Sequence, residues 1–138
     1  MILLDTNVLI YAFDAASPYS EWSVETIATG VSGDGAAINT VSLAELCVGD
    51  QDPGTVADRI RGWGVQILDV PAAAAEICAE AYCRYRERRS SQSGRDAPSA
   101  PLPDFFIGAH AEIMSWELAT ADRGRFETYF PSVLLRMP

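Results

Sequence analysis

The sequence contains no lysine, and all ten of its basic residues are arginine. That absence excludes mechanisms that need a lysine amine, including phosphate-binding loops, Schiff bases and lysine-dependent receiver domains. Histidine occurs once, at His110. The three cysteines, Cys47, Cys78 and Cys83, form no CxxC pair and have no histidine at zinc spacing. Disulfide frameworks and structural zinc therefore lack support, and a reducing, cytoplasmic setting fits. No apolar run approaches the roughly 18 residues of a membrane span. The opening Met-Ile-Leu-Leu-Asp has none of the features of a secretory signal. Acid dominates instead: 19 carboxylates against 10 basic side chains give a net charge of -9. Such a surface repels a phosphate backbone as a whole, so nucleic acid can bind only through a local patch. The length of 138 residues, 49% of them hydrophobic, predicts one domain over 1–138 with one core.

The pattern along the chain alternates short apolar runs with amphipathic stretches. Residues 2 to 4 read as a strand that ends at Asp5, where Thr6 and Asn7 can cap a helix carrying Val8, Leu9, Ala12 and Phe13. Ser17 and Pro18 start a second helix, which Gly33 and Gly35 stop. Residues 36 to 40 form the next strand, and Ser42 with Glu45 makes a capping-box pattern for the helix that follows. Asp52 and Pro53 open another helix, with Val56, Ile60 and Trp63 on its buried face. A third strand covers 65 to 70, and Pro71 begins the longest helix, whose apolar stripe includes Cys78 as a core residue. The Ser, Gly and Pro content of residues 90–103 predicts a flexible loop. Asp104 then opens a helix that is apolar nearly all round, and strands at 117–120 and 132–135 complete the set. This alternation predicts an α/β fold with a parallel sheet covered on both faces and right-handed crossovers.

In such sheets ligands bind beyond the carboxyl ends of the strands, which directs attention to Asp5, Glu45, Asp104 and Asp122. Each has a structural explanation of its own. Asp104 and Asp122 can be helix N-caps, Glu45 can belong to the capping box, and Asp5 can simply end a strand. Jointly they say more, because the fold brings strand ends and helix starts to one edge. Two carboxylates about 4 Å apart repel by about 4 kcal/mol at an effective dielectric near 20, and a divalent cation removes that cost. An all-oxygen donor set favours magnesium or manganese over zinc.

Four strings carry a resemblance: Leu-Leu-Asp-Thr-Asn-Val-Leu-Ile at 3–10, Thr-Val-Ser-Leu-Ala-Glu-Leu at 40–46, Pro-Leu-Pro-Asp-Phe-Phe-Ile-Gly-Ala-His-Ala at 101–111, and Leu-Ala-Thr-Ala-Asp-Arg-Gly-Arg-Phe at 118–126. In this order they resemble the PIN-domain nucleases, and among them the VapC-like toxin ribonucleases of type II toxin-antitoxin systems. The resemblance implies a PIN-like three-layer α/β/α sandwich with a central five-stranded parallel sheet of order 3-2-1-4-5. It also implies an acidic site for one or two Mg2+ or Mn2+ ions, an RNA substrate, a homodimer and a cognate antitoxin. By position, Asp5, Glu45 and Asp104 match the family's principal metal-ligand acids, and Asp122 matches a further acid. Thr120 matches a hydroxyl residue of the site, and Thr6 and Asn7 match polar neighbours of the first acid. At Arg125 some members carry another acid. The chemistry implied is in-line attack of metal-activated water on phosphorus, leaving 5′-phosphate and 3′-hydroxyl ends.

His110 lies six residues after Asp104, about 240° around the helix, and reads as a core or helix-edge residue. Arg123 and Arg125 flank Asp122 and are candidate phosphate contacts. The cluster Arg84, Arg86, Arg88 and Arg89, with Arg95 beyond it, is equally explained by the helix dipole and by an Arg84–Glu80 pair. Trp22, Trp63 and Trp116 fall on or beside apolar helical faces and read as packing residues. Two other functions compete with the ribonuclease. One is a catalytically degenerate module that binds RNA or protein. The other is a phosphatase-type enzyme with Asp5 as covalent nucleophile, which lacks both an assisting lysine and a second Asp at Asn7.

Overall fold

The computed structural model describes residues 1–138. Strand β1 (Ile2–Leu4) runs into helix α1 (Thr6–Phe13), followed by α2 (Ser20–Ser32) and β2 (Ala36–Asn39). Helices α3 (Thr40–Val48) and α4 (Val56–Gly62), the latter entered through a 3-10 turn at Pro53–Thr55, lead to β3 (Gln66–Leu68). The chain finishes with α5 (Ala74–Ser93), α6 (Pro103–Met114), β4 (Glu117–Ala119), α7 (Arg123–Tyr129) and β5 (Leu135–Arg136). All pairings are parallel, in the order β3-β2-β1-β4-β5.

The period-2 alternation of the strands sorts their side chains into two cores. Leu3, Ala37 and Leu118 face the layer made by α5, α6 and α7. Their neighbours Ile2, Leu4, Ala36, Ile38 and Ala119 face the layer of α1 to α4. The expected three-layer sandwich is therefore present, with β1 and β2 buried along their whole length as a doubly covered parallel sheet requires. Gly108 of α6 exists as glycine for a packing reason, since a Cβ there would overlap the Phe130 ring.

Several boundaries move. Helix α5 continues through Ser93, so the connection expected over 90–103 shrinks to residues 94–102, and Pro98 is tied back to α5 by a hydrogen bond from the Tyr82 hydroxyl (2.5 Å). Consecutive i→i−4 bonding sustains the serines there despite their low propensity. The capping box is not formed. Asn39 caps α3 instead, its Oδ1 accepting from the backbone N–H groups of Val41 and Ser42 (3.1 and 3.0 Å). The second helix begins at Ser20 and the longest at Ala74, each a few residues beyond its proline. Trp63 is 40% exposed and packs on Phe13, with ring centroids 4.5 Å apart, rather than in the core. Cys78 and His110 are buried as expected.

Candidate active site

The strand order reverses between β1 and β4, and the crevice beyond their carboxyl ends is where such sheets bind ligands. The first residue past β1 is Asp5, and the first past β4 is Thr120. Pairing continues one step beyond the strands, because the Asp5 N–H donates to the Ala119 carbonyl (2.9 Å) and the Thr120 N–H to that of Arg136 (3.1 Å). Both side chains are thereby set by sheet geometry rather than by loop conformation.

Asp5 is 4% exposed, and its Oδ2 accepts hydrogen bonds from Thr120 Oγ1 and Asn7 Nδ2, both 2.7 Å. Thr120 also accepts from the Asp122 N–H at 3.0 Å, and Asn7 Oδ1 accepts from the Ala121 N–H at 3.3 Å. Asn7 and Thr120 thus tie the start of α1 to the segment after β4, with Asp5 at the centre. On the other side of Asp5, Thr6 Oγ1 donates to Glu45 Oε1 at 2.6 Å, which fixes the α3 carboxylate against the start of α1. Asn7 and Thr120 are therefore the side chains that position Asp5, and Thr6 positions Glu45.

Every bond to the Asp5 side chain comes from a neutral donor, so its charge is oriented without being balanced. Burial pushes its carboxyl up to about 7, opposed by the Thr120 hydroxyl, while the charges of Asp104 and Glu45 push it further. Burial likewise raises Asp104, against the nearby Arg125, with Glu45 and Asp122 adding to the rise. The four acids consequently belong to one electrostatic unit. None caps a helix through its side chain. Asp5 and Asp122 occupy N-cap positions without making capping bonds, Asp104 lies inside α6 after Leu102 and Pro103, and Glu45 is displaced from that role by Asn39.

Asp104 differs from Asp5 in having its own cation. Arg125 of α7 reaches it with a 3.0 Å ion pair, and its guanidinium also lies over the Tyr85 and Phe105 rings at 5.5 and 5.8 Å. Arg125, expected as a phosphate contact, is thus engaged inside the site. Nothing in the local sequence signals this, because the pair joins two helices. Arg123 pairs with Glu127 at 3.6 Å, and Arg84 donates to the Tyr129 carbonyl at 3.0 Å rather than pairing with Glu80. His110 makes no hydrogen bond or ion pair with any of the four acids: it faces Asn39 at 3.5 Å and lies against Trp116.

No three carboxylate, histidine or cysteine side chains stand close enough together to hold an ion as they are placed. The donor chemistry still fits a hard divalent cation: the carboxylates raise one another's affinity for positive charge, and no thiolate or imidazole joins them.

A model of the PIN domain matches residues 2–130. The chain belongs to the PIN-domain family. Its fold is shared with VapBC2 from Rickettsia felis, solved on a promoter DNA fragment (TM-score 0.66, 21% identity, 99% of this chain and 98% of that one). FitAcB from Neisseria gonorrhoeae is similar (TM-score 0.63, 22% identity, 98% and 96% coverage). So is VapC20 from Mycobacterium tuberculosis, a toxin that cleaves the sarcin-ricin loop (TM-score 0.61, 16% identity, 93% and 94% coverage). No curated protein matches the chain. Within this PIN domain the four acids singled out in the sequence come from different elements, with Asp104 and Glu45 acting on Asp5, and Glu45 and Asp122 on Asp104.

Proposed function

We propose that this PIN-domain protein is a metal-dependent endoribonuclease, the toxin of a toxin-antitoxin pair. The observation that carries the reading is the buried Asp5 carboxylate, positioned by two neighbouring side chains, charged against two other acids and balanced by no cation. A group so placed costs stability unless a ligand uses it. Asp5, Glu45 and Asp104 would hold one magnesium or manganese ion, with Asp122 available for a second or for its waters. When bound, such an ion supplies an activated water and stabilises the charge developing on phosphate oxygens. Thr120 and Asn7 keep Asp5 in one orientation, and Thr6 does the same for Glu45. Hydrolysis then leaves 5′-phosphate and 3′-hydroxyl ends without a protein nucleophile.

The RNA substrate draws support from the sarcin-ricin-cleaving neighbour, and the antitoxin from the VapBC and FitAB complexes. An antitoxin tail and a homodimer complete the proposed assembly. No helix is long and apolar enough to cross a membrane, and a cytoplasmic location belongs to the same proposal. The test maps RNA ends produced by the wild type and by Asp5→Asn, with manganese and with EDTA. New 5′-phosphate ends that need both Asp5 and the metal are expected; identical maps in all arms sink the nuclease.

The Arg125–Asp104 pair and the open spacing of the acids favour one second reading, a degenerate module that binds without cleaving. Calorimetric titration with manganese decides between them, since such a module takes up no ion.

A further inference from the structure

Next to Asp122 the surface opens into a groove of about 460 Å³ between the C-terminal half of α5 and α7. Tyr85, Arg88, Arg89 and Gln92 line one wall, and Asp122 with Arg125 forms the end nearest the carboxylates. Three arginines thus converge on one depression of a chain whose net charge is -9. Their partners make the placement more telling. Arg59, Arg61, Arg123, Arg125 and Arg136 all pair with carboxylates, whereas Arg88 and Arg89 pair with none. Arg89 donates only to the Tyr85 hydroxyl at 2.9 Å, a neutral contact that orients the guanidinium and keeps its charge. With 19 acids available, two guanidinium groups without an acidic partner on one groove wall form a local positive patch.

We propose that this groove is the track for the RNA strand, in which Arg88 and Arg89 take backbone phosphates adjacent to the scissile one. The proposal rests on the nuclease reading and adds the path of the substrate. The groove starts where Asp122 and the Arg125–Asp104 pair end, so a strand lying in it delivers a phosphodiester to the acids. The remaining basic residues lie outside the track. Arg84 is committed to the Tyr129 carbonyl, Arg123 to Glu127, and Arg86 opens onto a separate depression with Glu87 and Asp96. Phosphate recognition suits arginine, whose planar fork makes two parallel bonds to phosphate oxygens.

The test is fluorescence anisotropy of a short labelled single-stranded 2′-O-methyl RNA in EDTA, across a salt series. Arg88→Ala/Arg89→Ala is expected to weaken binding by on the order of tenfold or more, and to flatten the slope of log affinity against log salt by about 1.4, at about 0.7 per phosphate contact. Arg86→Ala is expected to bind as the wild type does. Because Arg89 touches Tyr85, the exposed Arg88→Glu serves as a second variant, with the same loss expected and no change in thermal unfolding. Unchanged affinity and slope in both variants, or no binding by the wild type, overturns the groove. Cleavage of the unmodified RNA with manganese is followed in parallel. Wild-type binding that depends on Arg88 and Arg89 but comes with no cleavage keeps the groove and rejects the nuclease.

Discussion

Asp5 and Asp104 are both carboxylates of one crevice, yet the chain holds them in opposite ways. Asp5 is fixed by hydroxyl and amide donors from segments locked to the sheet, and its charge is left unmatched. Asp104 projects from a helix, is partly exposed, and is matched by Arg125 on α7. One side is rigid and electrostatically frustrated; the other is relaxed and carries a tethered cation. The contrast teaches that orientation and neutralisation are separate tasks. Neutral donors fix a ligand and offset only part of the rise that burial imposes on Asp5, whereas a guanidinium brings a full positive charge that competes with the metal for the same oxygen.

The largest expected effect comes from removing the frustration. Asp5→Asn abolishes RNA cleavage while making the metal-free protein more stable. The Asp5 carboxyl titrates at about 7 when folded and near 3.8 in its ordinary state, so the folded chain holds that proton more tightly. Its stabilising contribution is fully present below 3.8 and is lost as pH rises through about 7. At pH 8 the ionised group costs on the order of 4 kcal/mol, at about 1.4 kcal/mol for each tenfold change in proton affinity. Thermal unfolding of the two proteins in EDTA from pH 5 to 8 reads the difference, which is expected to widen with pH. Curves that stay parallel would falsify the unbalanced charge.

The next effect breaks the helical side alone. Gly108→Ala forces a methyl into the Phe130 ring, between the helix that carries Asp104 and the end of the one that carries Arg125. A loss of about 1–3 kcal/mol in urea denaturation is expected from overpacking. Thr120→Val is smaller and acts on the rigid side. It removes a donor to Asp5 and an acceptor for the Asp122 N–H, at about 1–2 kcal/mol. With that lowering influence gone, the alkaline shift of the activity profile reports Asp5 directly; an unmoved profile means that Thr120 serves the fold only. Arg125→Ala is expected to matter least for stability, within about 1 kcal/mol for a partly exposed pair. Its signature is manganese affinity, which rises in calorimetry once Asp104 is freed, and a fall in affinity would reverse the competition argument.

The legible parts of this fold were those written in short sequence. Short continuous apolar runs located β1 and β2 because a strand covered on both faces has no polar side to alternate with, a third such run located β4, and the positions of Asp5 and Thr120 followed from the strand ends. What local pattern missed was decided by groups distant in the chain. Asn39 took the cap of α3 because the extended backbone at the end of β2 brings its side chain over the first turn. Arg125 met Asp104 through the packing of α6 and α7, which no spacing reveals. The arginines of α5 looked like a dipole-complementing cluster until the structure separated them, with Arg84 on a carbonyl, Arg86 in one hollow and Arg88 and Arg89 in another.

Strand β1 is three residues long, with its middle side chain in one core and the outer two in the other. Sliding it by a single position relative to its neighbours would turn each of these side chains to the wrong layer. The same slide would carry the first acid away from Thr120, and Asn7 away from the Ala121 N–H. Fidelity of folding and fidelity of the reactive centre are consequently enforced by one alignment, so a molecule able to fold has already placed the carboxylate.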